Sequence, residues 1–166
     1  MIPQFGDLIL YNVNGRSEFI SRLVGAGQLI LGIGHSREVY SHVAVMSDRK
    51  GYQFEAKVPR AGEFPIDDSR EYEVWRIGDP TDAQRDDILR WCRKHAGDWY
   101  NLTGLLTDGL VALRRTYVCS QFGGRAYKAA GIRISSEGNR VLAPDAIPDA
   151  PGARCIARYA PPKGRA

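Results

Sequence analysis

Three segments in the first half of the chain alternate between apolar and polar residues, and this alternation restricts the fold more than any other feature. They are SHVAVM (41–46), YQFEAKV (52–58) and EYEVWRI (71–77), each rich in β-branched or aromatic residues. A period of two is typical of a strand with one buried face. The turn SDRKG lies between the first two segments, so these are predicted to form an antiparallel hairpin.

Helix signals dominate the second half of the chain. Thr81, with Gln84 three residues later, predicts a capping box at the start of a helix, and Gly131 is a natural helix stop. The predicted elements in addition to the three strands are strands at 6–11 and 154–159, helices at 17–24, 82–95, 102–113 and 119–130, a glycine-rich loop at 25–40 and a proline-rich loop at 143–153. This order predicts an α+β fold with an antiparallel sheet.

The length and composition are those of one globular domain. The chain has 166 residues, of which 43% are hydrophobic and 25% are charged, enough to bury a core. We expect a single domain over residues 1–160 and a flexible basic tail at 161–166. The glycines at 25–34 do not have the spacing of a dinucleotide-binding loop, and no cofactor is expected.

The net charge of +4 is concentrated at one end of the chain. Arg154, Arg158, Lys163 and Arg165 occur in the last stretch, which contains no acid, and the preceding residues carry equal numbers of basic and acidic side chains. There is no basic stripe with interleaved aromatic residues. Nucleic acid is therefore not an expected partner.

No segment has the pattern of a signal peptide or a membrane-spanning helix. Cys92, Cys119 and Cys155 are too few and too scattered for a disulfide framework, which indicates synthesis in a reducing compartment. We therefore expect a cytoplasmic location, with release from the cell by another route left open. The sequence leaves the oligomeric state undetermined.

Cys119 admits two interpretations. A buried cysteine is usually a small hydrophobic residue of the core. Cys119, however, follows the apolar pair Tyr117–Val118 and stands at the start of a predicted helix, where the N–H groups would stabilise a thiolate. The spacing alone supports both interpretations.

A cysteine nucleophile requires a base, and the chain has three histidines: His35, His42 and His95. His95 lies on the apolar face of the predicted helix 82–95 and is interpreted as a core-edge residue. It could bind a metal together with Cys92, but no second pair has ligand spacing, so no metal site is predicted. His42 is the candidate base, because it begins an alternating strand that can aim a polar side chain.

Hairpin geometry predicts the group that orients His42. If Asp48 and Arg49 form a two-residue loop, His42 lies directly opposite Glu55. A four-residue loop shifts the pairing by two and keeps both side chains on one face, whereas a three-residue loop places them on opposite faces. Glu55 lies between apolar residues, where an acid requires a partner, although a solvent-facing strand position is the alternative.

The order of five short motifs resembles one known family. The chain is similar to the circularly permuted branch of the NlpC-type papain-like superfamily, typified by the bacterial YiiX and YaeF proteins, and to lecithin:retinol acyltransferases. In this branch the histidine strand precedes the cysteine helix. The resemblance covers roughly residues 5 to 150 and is carried by GDLILY, SHVAVM, YQFEA, WYN (99–101) and YVCSQF (117–122).

The resemblance implies a papain-like α+β fold, in which an antiparallel sheet of five or six strands packs against the helix that carries the nucleophile. It implies a triad of Cys119, His42 and Glu55 and an amidase or peptidase that forms an acyl-enzyme, with murein-type peptides as the analogous substrates. A lipid acyltransferase or lipid hydrolase, acting on lipid esters or amides, is one alternative, and an inactive binding module is another.

The substrate pocket and the oxyanion donors are less specified by the sequence. The backbone N–H of Cys119 is the expected first donor, and Gln121, Tyr100 and Ser41 are further candidates for the pocket or the oxyanion site. Members of the family often carry an acid two residues after the cysteine, where this chain has Gln121. The neutral amide removes a negative charge near the thiolate and is consistent with a different substrate.

Overall fold

The computed structural model describes residues 1–12, 40–101, 116–134 and 144–161. These residues form an α+β structure with a six-stranded sheet, a two-stranded parallel sheet and two α-helices. The elements are β1 (Leu8–Asn12), β2 (Tyr40–Met46), β3 (Tyr52–Ala56), β4 (Ala61–Pro65), β5 (Tyr72–Ile77), α1 (Asp82–Lys94), β6 (Trp99–Tyr100), β7 (Thr116–Tyr117), α2 (Cys119–Ala129), a short 3-10 helix (Pro144–Ala146) and β8 (Ala153–Tyr159).

The large sheet is antiparallel throughout and has the order β4-β3-β2-β1-β5-β8. Its strand β1 is buried on both faces, which explains the continuous apolar run in its sequence. Leu8 and Leu10 belong to the main core beneath the helices, whereas Ile9 and Tyr11 belong to a smaller cluster on the other face. The predicted strands at 6–11, 41–46, 52–58, 71–77 and 154–159 are confirmed, with ends that differ by at most two residues.

The hairpin between β2 and β3 differs from the two-residue loop considered first. Ala44, rather than His42, lies opposite Glu55, and the Ser47 N–H donates to the Tyr52 carbonyl at 3.1 Å. The loop therefore has four residues and ends at Gly51, whose φ of 77° favours glycine. His42 does not directly oppose Glu55, but the shift is by two residues, so both side chains remain on one face.

Strand β4 was not predicted from the sequence. Its segment AGEFP contains glycine and proline, which are both unfavourable in strands, and it lacks a clear apolar face. It forms at the edge of the sheet by pairing with β3, and its first residue, Ala61, also exchanges backbone hydrogen bonds with Gly97 and Asp98. At an edge a terminal proline such as Pro65 removes no hydrogen bond that the sheet needs.

Each helix has the boundary signal that its sequence predicts, a capping box at the start of α1 and a glycine after the end of α2. At the start of α1, the Thr81 hydroxyl accepts the Gln84 N–H at 3.2 Å, and the Gln84 side chain accepts the Thr81 N–H at 3.0 Å. Helix α2 terminates at Gly131, which has a φ of 75°. There the Ile132 N–H donates to the Tyr127 carbonyl at 3.0 Å, the bond of a Schellman motif.

A buried ion cluster joins the sheet to α1. Asp7 is fully buried and accepts two hydrogen bonds from the Arg76 guanidinium, at 2.9 and 2.8 Å. Arg85 of α1 donates to the same carboxylate at 3.0 Å and to the Phe5 carbonyl at 2.7 Å. Two cations and several hydrogen bonds thus offset the cost of burying the Asp7 carboxylate.

Helix α2 contacts the sheet closely at Gly123. A Cβ atom at this position would lie 3.3 Å from Val43 Cγ1 and 3.5 Å from Leu8 Cδ2. The missing side chain thus allows the helix backbone to approach β1 and β2. Gly124, one residue later, faces open space, where a Cβ would meet nothing within 4 Å.

Several predicted elements lie outside the described residues. They are the helices at 17–24 and 102–113, nearly all of the loop at 25–40 and nearly all of the tail at 161–166. Within the described part of the chain, no helix has the length and apolar character needed to span a membrane.

The two adjacent glycines of α2 give a matched test of this packing. Gly123→Leu should lower the free energy of unfolding by about 1–3 kcal/mol, because the side chain enters a filled space. Gly124→Leu should raise it by about 0.5–1 kcal/mol through helix propensity. Urea denaturation of both variants measures the difference, and equal effects at the two positions would contradict the close packing at Gly123.

Candidate active site

Cys119 is the first residue of α2, the helix that packs against the sheet at Gly123. Val118 precedes it in an extended conformation and is the N-cap residue. The Cys119 residue is 4% exposed. Its sulfur accepts the N–H of Ser120, one of the helix N–H groups that have no partner within the helix.

A second backbone donor reaches the sulfur from β2. The Met46 N–H points toward β1, where it donates to the Asp7 carbonyl at 2.8 Å. Since N–H groups alternate sides along a strand, the Val43 N–H points toward β3. The ladder between β2 and β3 ends at Ala44 and Glu55, and beyond this end the Val43 N–H donates to the sulfur instead.

His42 and Glu55 are in direct contact. His42 Nε2 lies 2.5 Å from Glu55 Oε2, and Glu55 Oε1 lies 2.8 Å from Lys57 Nζ. The His42 ring also packs against the ring of Tyr11, with 5.9 Å between centroids. Both carboxylate oxygens of Glu55 therefore have cationic or hydrogen-bonding partners, and the imidazole is held from two sides.

The structure also brings His42 and Cys119 together as a hydrogen-bonded pair. Burial raises the pKa of the thiol, but the charge and hydrogen bond of His42 and the two backbone N–H groups outweigh burial and lower that pKa below its ordinary value. Because Nε2 is occupied by Glu55, Nδ1 is the ring nitrogen left for the sulfur.

The pKa values of His42 and Glu55 shift in opposite directions to each other. Burial lowers the pKa of His42, but the negative charge and hydrogen bond of Cys119, followed by those of Glu55, raise it to about 10. Burial raises the pKa of Glu55, but His42 and Lys57 lower it to about 2. A thiol pKa below normal and an imidazole pKa far above normal favour a thiolate–imidazolium pair at neutral pH.

Tyr100 is the oxyanion candidate whose hydroxyl is influenced by the charge of Cys119. Burial and the negative charge of Cys119 both raise the pKa of its hydroxyl, so it remains a proton donor. The position follows from the small parallel sheet, in which Tyr100 pairs with Tyr117, two residues before the cysteine.

The other two pocket candidates have structural partners. Gln121 accepts the Val118 N–H at 3.2 Å through its side-chain oxygen and thereby caps α2. The Ser41 hydroxyl donates to the Tyr11 carbonyl at 3.4 Å and accepts from Arg70 Nη2 at 3.1 Å. These contacts fix Ser41 to β1 and to Arg70, and among the contacts of the described residues none joins Ser41 to Cys119.

The remaining histidines and cysteines are placed elsewhere. His95 Nδ1 lies 2.7 Å from Asp98 Oδ2, and its ring stacks on Trp91, as expected of a core-edge histidine. Burial raises the pKa of both Cys92 and Cys155. His35 lies outside the described residues. Among the residues that the structure describes, no group of His, Cys, Asp and Glu has the arrangement of a metal site.

Sequence reasoning missed Lys57, Tyr11 and the Val43 N–H. Lys57 was within reach of a sequence argument, because residues two apart on a strand share a face and Lys57 follows Glu55 by two. The contact of Tyr11 with His42 depends on the pairing of β1 with β2, in which the two residues lie opposite each other. The Val43 N–H depends on where the β2–β3 ladder ends, for which the sequence carries no signal.

The chain matches no known family profile, and no curated protein is similar enough to count as a relative. The geometry of the site is therefore the observation from which a function is inferred.

Thiol reactivity tests the ion pair without any knowledge of the substrate. Iodoacetamide at about pH 6, followed by mass mapping, should label Cys119 before Cys155 and Cys92. Accessibility alone predicts the opposite order, because Cys155 is half-buried and Cys119 is buried. Only a lowered thiol pKa makes the buried cysteine react first.

A matched pair of histidine variants completes this test. His42→Gln should slow the labelling of Cys119 at pH 6 at least about tenfold, because the positive partner is lost and only backbone dipoles remain. His95→Gln should leave the rate unchanged. Cys119 that reacts only in unfolded protein would be a packing residue.

The pKa of His42 can be measured directly by NMR titration of the imidazole carbons. In the native protein His42 should titrate near pH 10. Glu55→Gln should shift this titration clearly downward, because the carboxylate no longer stabilises the bound proton. Glu63→Gln, on the neighbouring strand, is the control and should not shift it. Titration of native His42 near pH 6.5 would show that no ion pair forms.

Proposed function

We propose that this protein is a cysteine-dependent hydrolase of amide bonds, of the amidase or peptidase type. The observation that carries this proposal is the continuous contact from Cys119 through His42 to Glu55, with the pKa of the thiol lowered and that of the imidazole raised. A packed structural cysteine has no need of a histidine and an acid in this order. Perturbed groups that support one another in this way are typical of catalytic sites.

In the first half of the reaction, the Cys119 thiolate attacks the carbonyl carbon of the substrate. A sulfur–carbon bond forms, and the carbonyl electron pair moves onto oxygen. The tetrahedral intermediate then collapses and breaks the carbon–nitrogen bond, while the His42 imidazolium gives its proton to the departing amine. The product of this half is a thioester on Cys119 and a neutral His42.

In the second half, neutral His42 takes a proton from water, and the resulting hydroxide attacks the thioester. The sulfur leaves as thiolate, the acid is released, and the imidazolium and thiolate are regenerated. Glu55 orients His42 and stabilises its positive charge throughout. The backbone N–H of Cys119 and the hydroxyl of Tyr100 are the proposed donors to the oxyanion, and Tyr100 suits this role because its raised pKa keeps it protonated.

The arrangement of elements supports the permuted papain-like family as the fold. The strand that carries His42 precedes the helix that carries Cys119, and this helix packs against an antiparallel sheet of six strands. Murein-type peptides are the substrates that the family suggests by analogy. The side chain of Gln121 caps the helix, so the neutral residue at this position has a structural use of its own.

A lipid acyltransferase requires a cover for an acyl chain, for which the apolar, glycine-rich residues 25–34 are the candidate in the sequence, and these lie outside the described residues. The binding-module alternative requires a decayed site, whereas all three members of the proposed triad are present and in contact. The described residues therefore favour a cysteine-dependent hydrolase over a binding module.

A library of fluorogenic dipeptide amides tests the proposal. The native protein should hydrolyse members of the library, and Cys119→Ala should lower the rate at least about 10³-fold, because no acyl-enzyme can form. Glu55→Gln should cause a smaller loss, since His42 and Cys119 remain. Cys155→Ala is the matched control and should retain full activity.

Phospholipid vesicles provide the competing substrate. Release of fatty acid from vesicles without hydrolysis of any amide would favour the lipid hydrolase. Amide hydrolysis that persists in Cys119→Ala would refute the proposed nucleophile.

A further inference from the structure

A short exposed surface lies beside the proposed site and connects Glu55 with Tyr100. We call it the Trp99 wall, and it consists of Lys57, Val58, Pro59, Arg60 and Trp99. At one end Lys57 Nζ lies 2.8 Å from Glu55 Oε1. At the other end the Pro59 carbonyl accepts the Tyr100 N–H at 2.9 Å. The wall therefore runs from the acid of the site to the tyrosine beside Cys119.

The wall presents apolar surface to solvent. Trp99 is 55% exposed and Val58 is 44% exposed. In the described part of the chain, the other large hydrophobic residues that are exposed are Met1, Ile2 and Tyr159. These three residues lie near the first and last described residues of the chain, away from Trp99 in sequence. An exposed tryptophan directly before Tyr100 of the proposed site indicates a binding surface, because leaving an indole ring in water gives up burial that the core could use.

The wall also carries a cation without an acidic partner. The Arg60 guanidinium lies over the Trp99 ring, 4.3 Å from its centroid, and the two residues form an antiparallel bridge. Within the described ranges, Arg60 makes no ion pair with a carboxylate. The cation–π contact with the indole restrains the guanidinium, whose N–H groups match the geometry of a carboxylate. The ammonium of Lys57, in contrast, is already bound by Glu55.

We propose that the Trp99 wall is a substrate subsite for acidic peptides. A carboxylate of the peptide binds the edge of the Arg60 guanidinium, and the adjoining chain packs on Trp99 and Val58, which brings an amide bond toward Cys119. This inference rests on the proposed function for the last step and on the wall alone for the binding. An anionic membrane is disfavoured as the occupant, because membrane binding requires a cluster of basic residues and the wall has one unpaired cation.

Binding to a protein that cannot turn over tests the subsite. The probe is the acetylated pentapeptide amide Ala-Glu-Ala-Glu-Ala, compared with its neutral counterpart Ala-Gln-Ala-Gln-Ala. Titration calorimetry with the Cys119→Ala protein should show at least about tenfold tighter binding of the acidic peptide, as expected for a charge-assisted hydrogen bond. The preference should weaken as salt is raised.

Variants of the Trp99 wall test which residue causes the preference for the acidic peptide. Arg60→Gln should abolish it, and Arg60→Glu should transfer it to the basic peptide Ala-Lys-Ala-Lys-Ala. Arg49→Gln is the matched control, since Arg49 also stacks on an aromatic ring, that of Tyr52 at 3.5 Å, but lies in the β2–β3 loop. Trp99→Ala should weaken the binding of both peptides, with Trp99→Phe intermediate.

The outcomes separate the subsite from the enzyme. Equal binding of the acidic and neutral peptides, or a preference that survives Arg60→Gln, overturns the subsite even if Cys119 is an active nucleophile. A preference that depends on Arg60 in a protein whose Cys119 proves inert supports the subsite and refutes the enzyme. Binding to phosphatidylserine vesicles that depends on Arg60, without binding to the acidic peptide, overturns the peptide assignment in favour of a membrane.

Discussion

The close contact of helix α2 with strands β1 and β2 is the constraint on which the site depends. Gly123 allows the helix backbone to approach Val43, and Cys119 lies one turn earlier on the same helix. The same contact therefore sets the position of the sulfur relative to the Val43 N–H and to the neighbouring His42. A glycine inside a helix costs about 1 kcal/mol relative to alanine, and the packing it allows offsets this.

Burial opposes the ionised form of every member of the triad. It raises the pKa of Cys119 and Glu55 and lowers that of His42, and only their mutual contacts reverse these shifts. Each charge is therefore stabilised only when its partner groups in the triad are in contact with it. The ionisation of the Cys119 thiol consequently depends on the packing that brings the three residues together. The Asp7 carboxylate is likewise buried and paired, with two arginines in contact with it.

Local signals were sufficient for most of the strands and for both described helices. The period-two segments, the capping box at Thr81 and the stop at Gly131 act within a few residues, and each is found where the sequence predicts it. Edge strand β4 was missed because its segment has poor strand propensity and forms only by pairing with β3. The length of the β2–β3 loop was left open by the sequence, because it depends on how Gly51 completes the turn.

The sequence by itself determined which side chains share a face and where the nucleophile helix begins. Alternation along β2 and β3 places His42 and Glu55 on one side for any even loop, because successive strand residues point to opposite faces. Only the tertiary structure decided that Cys119 meets His42, that the Val43 N–H reaches the sulfur, and that Lys57 and Trp99 border the site. These contacts join residues distant along the chain, and they form because burying the apolar faces of the sheet and α2 brings those residues together.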